Sequence, residues 1–178
     1  MKSLLTTLTF LGLSLLAPAQ VEYRLGGGYV AEKLSSPGAF AEISRVKNDS
    51  KTFSYPLSLQ AGFFKRPDYS AIQLELRTGW EAQFPSKVIL AQSLGIGVIG
   101  NLFDPSTTWY IDEYSNKVRY VNSITPGLLL SVNGKIGYQI SEKGALYAAP
   151  RIYWNFMVRG LNAPFGAIQF GYSHKILK

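Results

Sequence analysis

The sequence has 178 residues, none of which is cysteine, and only 16% of which are charged. Without cysteine an exported chain has no disulfide framework, so its stability must come from size, hydrogen bonding or a membrane. Beyond residue 19 no apolar run reaches about 18 residues, the length that a helix needs to cross a bilayer. A helical membrane protein is therefore excluded, and the abundance of Gly, Tyr and Phe is typical of a β protein.

Residues 1–19 have the organisation of a secretory signal peptide. Lys2 supplies a charged start, residues 4–16 form an apolar segment too short to span a bilayer, and residues 17–19 form an A-x-A cleavage signal. An uncleaved anchoring helix is the disfavoured alternative. We divide the chain into this signal peptide and one domain, residues 20–178. Removal of Lys2 leaves 17 basic against 11 acidic residues, a net charge of +6, which indicates anionic lipid headgroups rather than nucleic acid as the neighbour of an exported protein.

Residues 70–84 alternate apolar and polar side chains almost without a break. Successive residues of a strand face opposite sides, so this segment predicts a strand with one apolar and one polar face. The same alternation recurs along the chain and predicts eight strands, at residues 21–32, 39–46, 53–64, 70–84, 87–102, 126–140, 146–156 and 168–176.

Three details of this pattern need separate treatment. The sequence does not settle which way residues 39–46 face. Asn133-Gly134 matches a hairpin turn, but the alternation continues through it, which favours one continuous strand. Pro150 lies in the middle of a predicted strand and cannot donate a ladder hydrogen bond, so we expect a bulge there.

The composition of the polar face indicates which side points outward. It consists of glycine, serine, glutamine and a few charges, whereas a water-exposed face would be rich in Lys, Glu, Thr and Asp. Glycines beside large groups such as Tyr147, Arg151 and Tyr153 suit the narrow interior of about eight strands. The sequence therefore predicts an all-β fold, a single eight-stranded antiparallel transmembrane β-barrel with up-and-down meander topology and its apolar face toward lipid.

Aromatic residues on the apolar face support this orientation, because they fall at two levels, as the two membrane interfaces require. One predicted girdle contains Tyr23, Tyr55, Trp80, Phe84, Tyr138 and Tyr172, and the other contains Tyr29, Phe63, Trp154 and Phe156.

With this pattern, residues 21–177 resemble the small eight-stranded outer-membrane barrels of the OmpX and OmpA type. The resemblance implies a location in the outer membrane of a Gram-negative cell. It also implies a monomer whose partners are outer-membrane lipid and lipopolysaccharide, with a protein partner at the extracellular loops as a further candidate.

Charged residues on the polar face form the first set of candidate site residues. Opposite signs interleave in a narrow bore, which favours a salt-bridged plug over a proton or ion path. The predicted interior charges are Glu22, Arg24, Glu75, Arg77, Glu81, Lys135, Arg151 and Lys175.

The second set lies in residues 104–121, the longest irregular segment, which the strand count places outside the cell. Its aromatic and charged side chains are candidates for binding a partner or lipopolysaccharide, although packing of the loop on itself is the favoured interpretation. They are Trp109, Tyr110, Asp112, Glu113, Tyr114 and Arg119.

No pattern in the sequence indicates catalysis, a cofactor or a metal. Residues 95–100 match GxGxxG, but no helix follows to hold a phosphate. His174 has no evident nucleophile partner and is predicted to face outward. Asp104, Asp112 and Glu113 match no cation loop. We therefore expect a structural, adhesive or interaction role through the loops, without an open pore. The alternatives are a secreted soluble barrel that binds an apolar ligand, an outer-membrane lipid-modifying enzyme and a small pore.

Overall fold

A computed structural model of the chain describes residues 21–32, 36–50, 52–66, 69–103, 109–111, 118–120, 124–156 and 164–177. The predicted signal peptide, residues 1–19, lies outside these ranges. Within them, no helix is long and apolar enough to cross a membrane.

The described residues form ten strands, eight of which close into a barrel. The barrel strands are β1 Val21–Glu32, β2 Ser36–Asn48, β3 Phe53–Lys65, β4 Tyr69–Gln83, β5 Val88–Phe103, β8 Ile124–Gln139, β9 Gly144–Phe156 and β10 Phe165–Leu177. The other two, β6 Trp109–Ile111 and β7 Val118–Tyr120, pair only with each other and form a short hairpin in the connection between β5 and β8.

Every barrel strand pairs antiparallel with its neighbour along the chain, and β10 closes the barrel on β1. This confirms the predicted up-and-down meander of eight strands. The barrel end that holds Val21 and the turns at residues 49–52, 84–87 and 140–143 is called the terminal end here. The opposite end, from which the connection through residues 104–123 leaves, is called the loop end.

Side-chain exposure along β4 shows the orientation of the barrel wall. Leu74 and Leu76 are 47% and 48% exposed on the outer surface, whereas Glu75 between them is 0% exposed. Among the described residues, more of the buried positions hold polar or charged side chains than apolar ones. The predicted orientation, apolar outside and polar inside, is therefore confirmed, and it is the reverse of a soluble barrel that holds an apolar ligand.

Strand β2 settles the open question about residues 39–46. It runs from Ser36 to Asn48, longer than predicted, with Ile43 exposed and Ser44 and Val46 buried. The strand looked weak because small and polar residues reduce the contrast between its two faces. The continuous strand at Asn133-Gly134 is confirmed, since β8 passes through both residues without a turn.

The bulge expected at Pro150 is wrong. The pairs Asn133↔Arg151 and Ile136↔Ala148 have the same register, so no residue is inserted and Pro150 lies opposite Gly134. The facing strand leaves room for the proline ring, since even a Cβ placed at Gly134 would lie at an ordinary contact distance of 3.5 Å from Pro150 Cγ. A proline thus removes one ladder bond from this wall without shifting the strands.

The turn between β4 and β5 holds the one non-glycine residue with positive φ among those described, Lys87, at φ 66°. Its N–H donates to the Phe84 carbonyl over 2.9 Å, and the Phe84 N–H donates to the Val88 carbonyl over 2.9 Å. This is a tight turn whose last residue is left-handed, a conformation that costs non-glycine residues roughly 1–2 kcal/mol.

We predict that Lys87→Gly raises the thermal unfolding temperature of the barrel in detergent, because glycine adopts the left-handed conformation without steric cost. The gain should be about 0.5–1 kcal/mol. Ser86→Gly, one residue earlier, is the matched control and should give no gain. Equal effects of the two changes would contradict the assignment of strain to Lys87.

Candidate functional site: the charged barrel interior

The barrel interior is filled by three groups of ion-paired side chains, at the middle, the terminal end and the loop end. The middle group centres on Glu75 of β4, which lies between two guanidinium groups. Arg77 Nη2 and Arg151 Nη2 each lie 2.8 Å from Glu75 Oε2. The Ser131 hydroxyl of β8 donates to the other carboxylate oxygen. One carboxylate thus links three strands across the bore.

Amide side chains extend this middle group. Arg151 Nη1 donates to Gln73 Oε1 over 3.0 Å, and Arg77 Nη1 donates to Gln169 Oε1 over 3.3 Å. Gly95 makes the arrangement sterically possible, because a Cβ there would overlap the Glu75 carboxylate and the Ser131 hydroxyl. The inward glycines therefore provide the space that the large interior side chains occupy.

The group at the terminal end is an alternating chain of five charges. Lys175 Nζ lies 3.1 Å from Glu22 Oε2, and Glu22 also accepts a bond from Arg24. Arg24 continues to Glu81, and Lys135 Nζ lies 3.0 Å from Glu81 Oε2. Because each carboxylate lies between two cations, the charges are paired although they lie inside the barrel wall.

The structure places all eight predicted interior charges in these two groups. Sequence analysis missed Glu42, whose Oε2 lies 3.9 Å from Arg77 Nη1. Glu42 lies on β2, the strand whose facing the pattern left open, so no signal assigned it to the interior.

A third group, at the loop end, was also not predicted. Arg66 pairs with Glu32, with Nε 2.7 Å from Glu32 Oε2, and its Nη2 donates to the Tyr153 hydroxyl over 3.1 Å. The guanidinium carbon lies 4.7 Å from the Tyr69 ring centroid and 4.5 Å from that of Phe165. Arg66 was missed because it follows the end of the predicted strand, where alternation no longer assigns a side.

An apolar cluster of buried side chains surrounds this third group and fills the loop end of the bore. Its members are Phe64, Ala71, Ile99, Leu129, Tyr153 and Phe165. The Tyr153 and Phe165 rings stack with centroids 5.4 Å apart. Such ring pairs add about 0.5–1.5 kcal/mol beyond their buried area, so this end of the interior is packed like a small hydrophobic core.

Little space remains between these groups. Interior cavities bordered by the described residues have volumes of about 60 Å³, beside Arg24 and Lys135, and about 10 Å³, beside Gln83 and Gln139. The larger one has room for a few water molecules. Chemically, the arrangement can hold strands together and neutralise charge.

The predicted loop residues are only partly within the described chain. Trp109 and Tyr110 lie in β6 and Arg119 in β7, where Tyr110 and Arg119 are register partners. Asp112, Glu113 and Tyr114 lie outside the described residues. The segment thus contains a short two-stranded hairpin.

The structure places His174 on the outer face of the barrel and the GxGxxG match within a strand. His174 faces outward, and its Nδ1 lies 3.1 Å from the Tyr172 hydroxyl. Residues 95–100 lie within β5, so no helix N-terminus follows the glycines.

Comparison with solved structures finds the same barrel in two bacterial surface proteins. Neisserial surface protein A superposes with a TM-score of 0.53 at 14% sequence identity, covering 88% of this chain and 96% of that one. Ail, the attachment invasion locus protein of Yersinia pestis, superposes with a TM-score of 0.53 at 10% identity, covering 89% of this chain and 99% of that one. No protein-family model matches the sequence, and comparison with curated proteins gives no significant match.

These similarities agree with the topology of the barrel. The chain has the fold of the small eight-stranded outer-membrane β-barrels, the class to which both neighbours belong. The sequence identities are low, so the comparison defines the fold alone.

We predict that Glu75→Gln destabilises the barrel by about 3–5 kcal/mol, because it leaves Arg77 and Arg151 buried without their shared carboxylate. Urea unfolding in lipid vesicles, followed by tryptophan fluorescence, measures the loss. The matched control is Glu142→Gln in an exposed turn, which should change the unfolding free energy by no more than about 0.5 kcal/mol. Equal stability of Glu75→Gln and the unmodified chain would contradict a structural role for the middle group.

Proposed function

We propose that this chain is an integral outer-membrane barrel that acts through its loop end, without an open pore and without catalysis. The observation that carries the proposal is the reversed distribution of side chains. Its outer surface exposes leucine, isoleucine and valine between two levels of aromatic residues, while its charges lie inside in ion pairs. In water such a surface would aggregate, whereas in a bilayer it matches the solvent.

The absence of a pore is supported by the three interior groups, which occupy the bore at three heights and leave cavities of about 60 and 10 Å³. The absence of catalysis is supported by the position of His174, whose described hydrogen-bond partner is the Tyr172 hydroxyl. An adhesive or interaction role is supported by the β6–β7 hairpin, which forms a sheet separate from the barrel in the connection between β5 and β8.

Membrane insertion is tested by a charge on the outer surface. Leu76 is 48% exposed and pairs with Leu59 and Ile96, about midway between the aromatic levels. Leu76→Arg should cost about 2–4 kcal/mol of unfolding free energy in vesicles and deplete the heat-modifiable folded band on gels. Leu76→Phe is the control and should fold normally. A Leu76→Arg chain that is stable and soluble without detergent would overturn the proposal in favour of a soluble barrel.

Conductance tests the closed interior. The unmodified barrel, inserted into a planar bilayer, should show no steady single-channel current, because ion-paired side chains occupy the bore at three heights. The same folded sample, verified by heat-modifiable mobility, serves as the control for insertion. Stable current steps from the unmodified chain would support the pore alternative instead.

The role of the loop end is tested by replacing residues 109–120 with a short Gly-Ser linker. The eight barrel strands do not include this segment, so the variant should keep its heat-modifiable mobility. Cells that display the shortened barrel should lose adherence to an immobilised receptor surface relative to cells that display the full chain at equal density. Unchanged adherence would assign the interaction to another part of the protein or leave the barrel with a purely structural role.

A further inference from the structure

Arg66 differs from the other ion-paired cations of the described interior in its place in the chain. The others lie within barrel strands: Arg24, Arg77, Lys135, Arg151 and Lys175. Arg66 follows Lys65, the last residue of β3, and its N–H donates to the Tyr69 carbonyl over 2.8 Å. Its side chain therefore enters the bore from the loop end, where it keeps 13% of its surface exposed.

Three aromatic rings lie against the guanidinium group of Arg66. Its central carbon lies 5.5 Å from the Phe64 ring centroid, 4.7 Å from that of Tyr69 and 4.5 Å from that of Phe165. All three distances fall within the roughly 6 Å over which a ring face attracts a cation. The rings therefore stabilise a flat cation at this position.

Oxygen atoms hold the edge of the same guanidinium group. Arg66 Nε lies 2.7 Å from Glu32 Oε2, and Nη2 donates to Glu32 Oε1 and, over 3.1 Å, to the Tyr153 hydroxyl. A carboxylate that accepts two N–H bonds side by side matches a planar guanidinium better than a compact ammonium group. The five side chains around Arg66 are called the cage here: Glu32, Phe64, Tyr69, Tyr153 and Phe165.

The barrel strands hold the cage in shape. Its members lie on β1, β3, β4, β9 and β10, so the closed ladder fixes their backbones. Phe64, Tyr153 and Phe165 are buried against one another, with the Phe64 and Tyr153 rings 6.4 Å apart. We therefore expect the walls of the cage to keep their positions when the side chain of Arg66 is removed.

We propose that the cage is a binding site for a guanidinium group and that Arg66 is its internal ligand, which keeps external cations out. The inference goes beyond the proposed function, because it requires no partner at the loops. Arg66 belongs to a connection, so its side chain can leave without opening the barrel ladder. A tethered ligand has an effective concentration on the order of millimolar, so an external guanidinium compound binds well only after Arg66 is removed.

Arg66→Ala empties the cage and tests the site, with ethylguanidinium chloride as the probe. In detergent, millimolar ethylguanidinium should raise the unfolding temperature of this variant by roughly 2–4 °C, because a ligand that binds only the folded state stabilises it. Ethylammonium chloride at equal concentration should give a smaller gain, since it lacks the planar fork. The unmodified chain should gain nothing from either salt. Saturation-transfer NMR should show contact between the barrel and the ethyl group of the probe in Arg66→Ala alone.

Two matched controls separate the cage from other sites. Arg24→Ala removes an interior guanidinium that pairs with Glu22 and Glu81 in the terminal group, and it should gain nothing from ethylguanidinium.

The second control compares two rings in the Arg66→Ala chain. Adding Phe165→Leu should abolish the gain, because it removes one wall of the cage. Adding Phe40→Leu should leave the gain intact, because Phe40 is a buried ring of β2 that packs near Tyr147 and not in the cage.

Three results would overturn the inference: no gain in folded Arg66→Ala, equal gains in Arg66→Ala and Arg24→Ala, and an equal gain in the unmodified chain. Heat-modifiable mobility shows whether each variant is folded. If Arg66→Ala gives no folded band, refolding in ethylguanidinium becomes the measurement. Recovery of the band then supports the cage, and no recovery overturns it. None of these results depends on adherence or conductance, so the proposed function is tested separately.

Discussion

The hydrogen-bonded closure of β1 on β10 is the constraint on which the rest of the structure depends. In lipid no water satisfies a free backbone N–H or carbonyl, so a sheet can cross only if it has no edge. Closing eight strands fixes the diameter of the bore at a value that side chains can just fill. Once the ladder closes, the alternation fixes whether each side chain points to lipid or into the bore. Side chains that face lipid are therefore apolar, and side chains that face the narrow bore are mostly polar or small.

In a bore of this diameter, polar side chains must pair with one another. Polar side chains inside a closed wall are costly unless paired, so each carboxylate of the middle and terminal groups lies beside at least one cation, and Glu75 beside two. Pairing of this kind connects strands that are not neighbours: Arg151 reaches Glu75 from β9, and Arg24 of β1 reaches Glu81 of β4. The interior therefore acts as a cross-link between strands that the ladder joins only to their neighbours. Glycines such as Gly95 are needed for this packing, because the absence of a side chain leaves room for the charged groups beside them.

Alternation was sufficient to predict the strands, the meander and the side on which each charge lies, because a period of two is local and survives any tertiary arrangement. Alternation could not predict which interior side chains form ion pairs with each other. Glu75 and Arg151 are 76 residues apart, and their contact depends on the stagger of the closed barrel. It also failed where alternation ends or weakens. Arg66 lies just beyond β3 and Glu42 on a strand of low contrast, so neither was assigned to the interior. Pro150 shows a third limit: the rule for prolines gave a bulge, but the register between β8 and β9 is the same on both sides of this residue.

The ion pairs in the interior show where the net positive charge of the chain lies. Six cations inside, Arg24, Arg66, Arg77, Lys135, Arg151 and Lys175, face five carboxylates, Glu22, Glu32, Glu42, Glu75 and Glu81, so the interior carries an excess of about one charge. Most of the excess therefore lies outside the bore. Among the described residues of the terminal end, Arg45, Lys47, Lys87 and Lys143 outnumber Asp49 and Glu142. Because cations and carboxylates nearly cancel inside the bore, the excess of positive charge lies at the rim of the barrel. A cationic rim next to an apolar band is complementary to a leaflet with anionic headgroups.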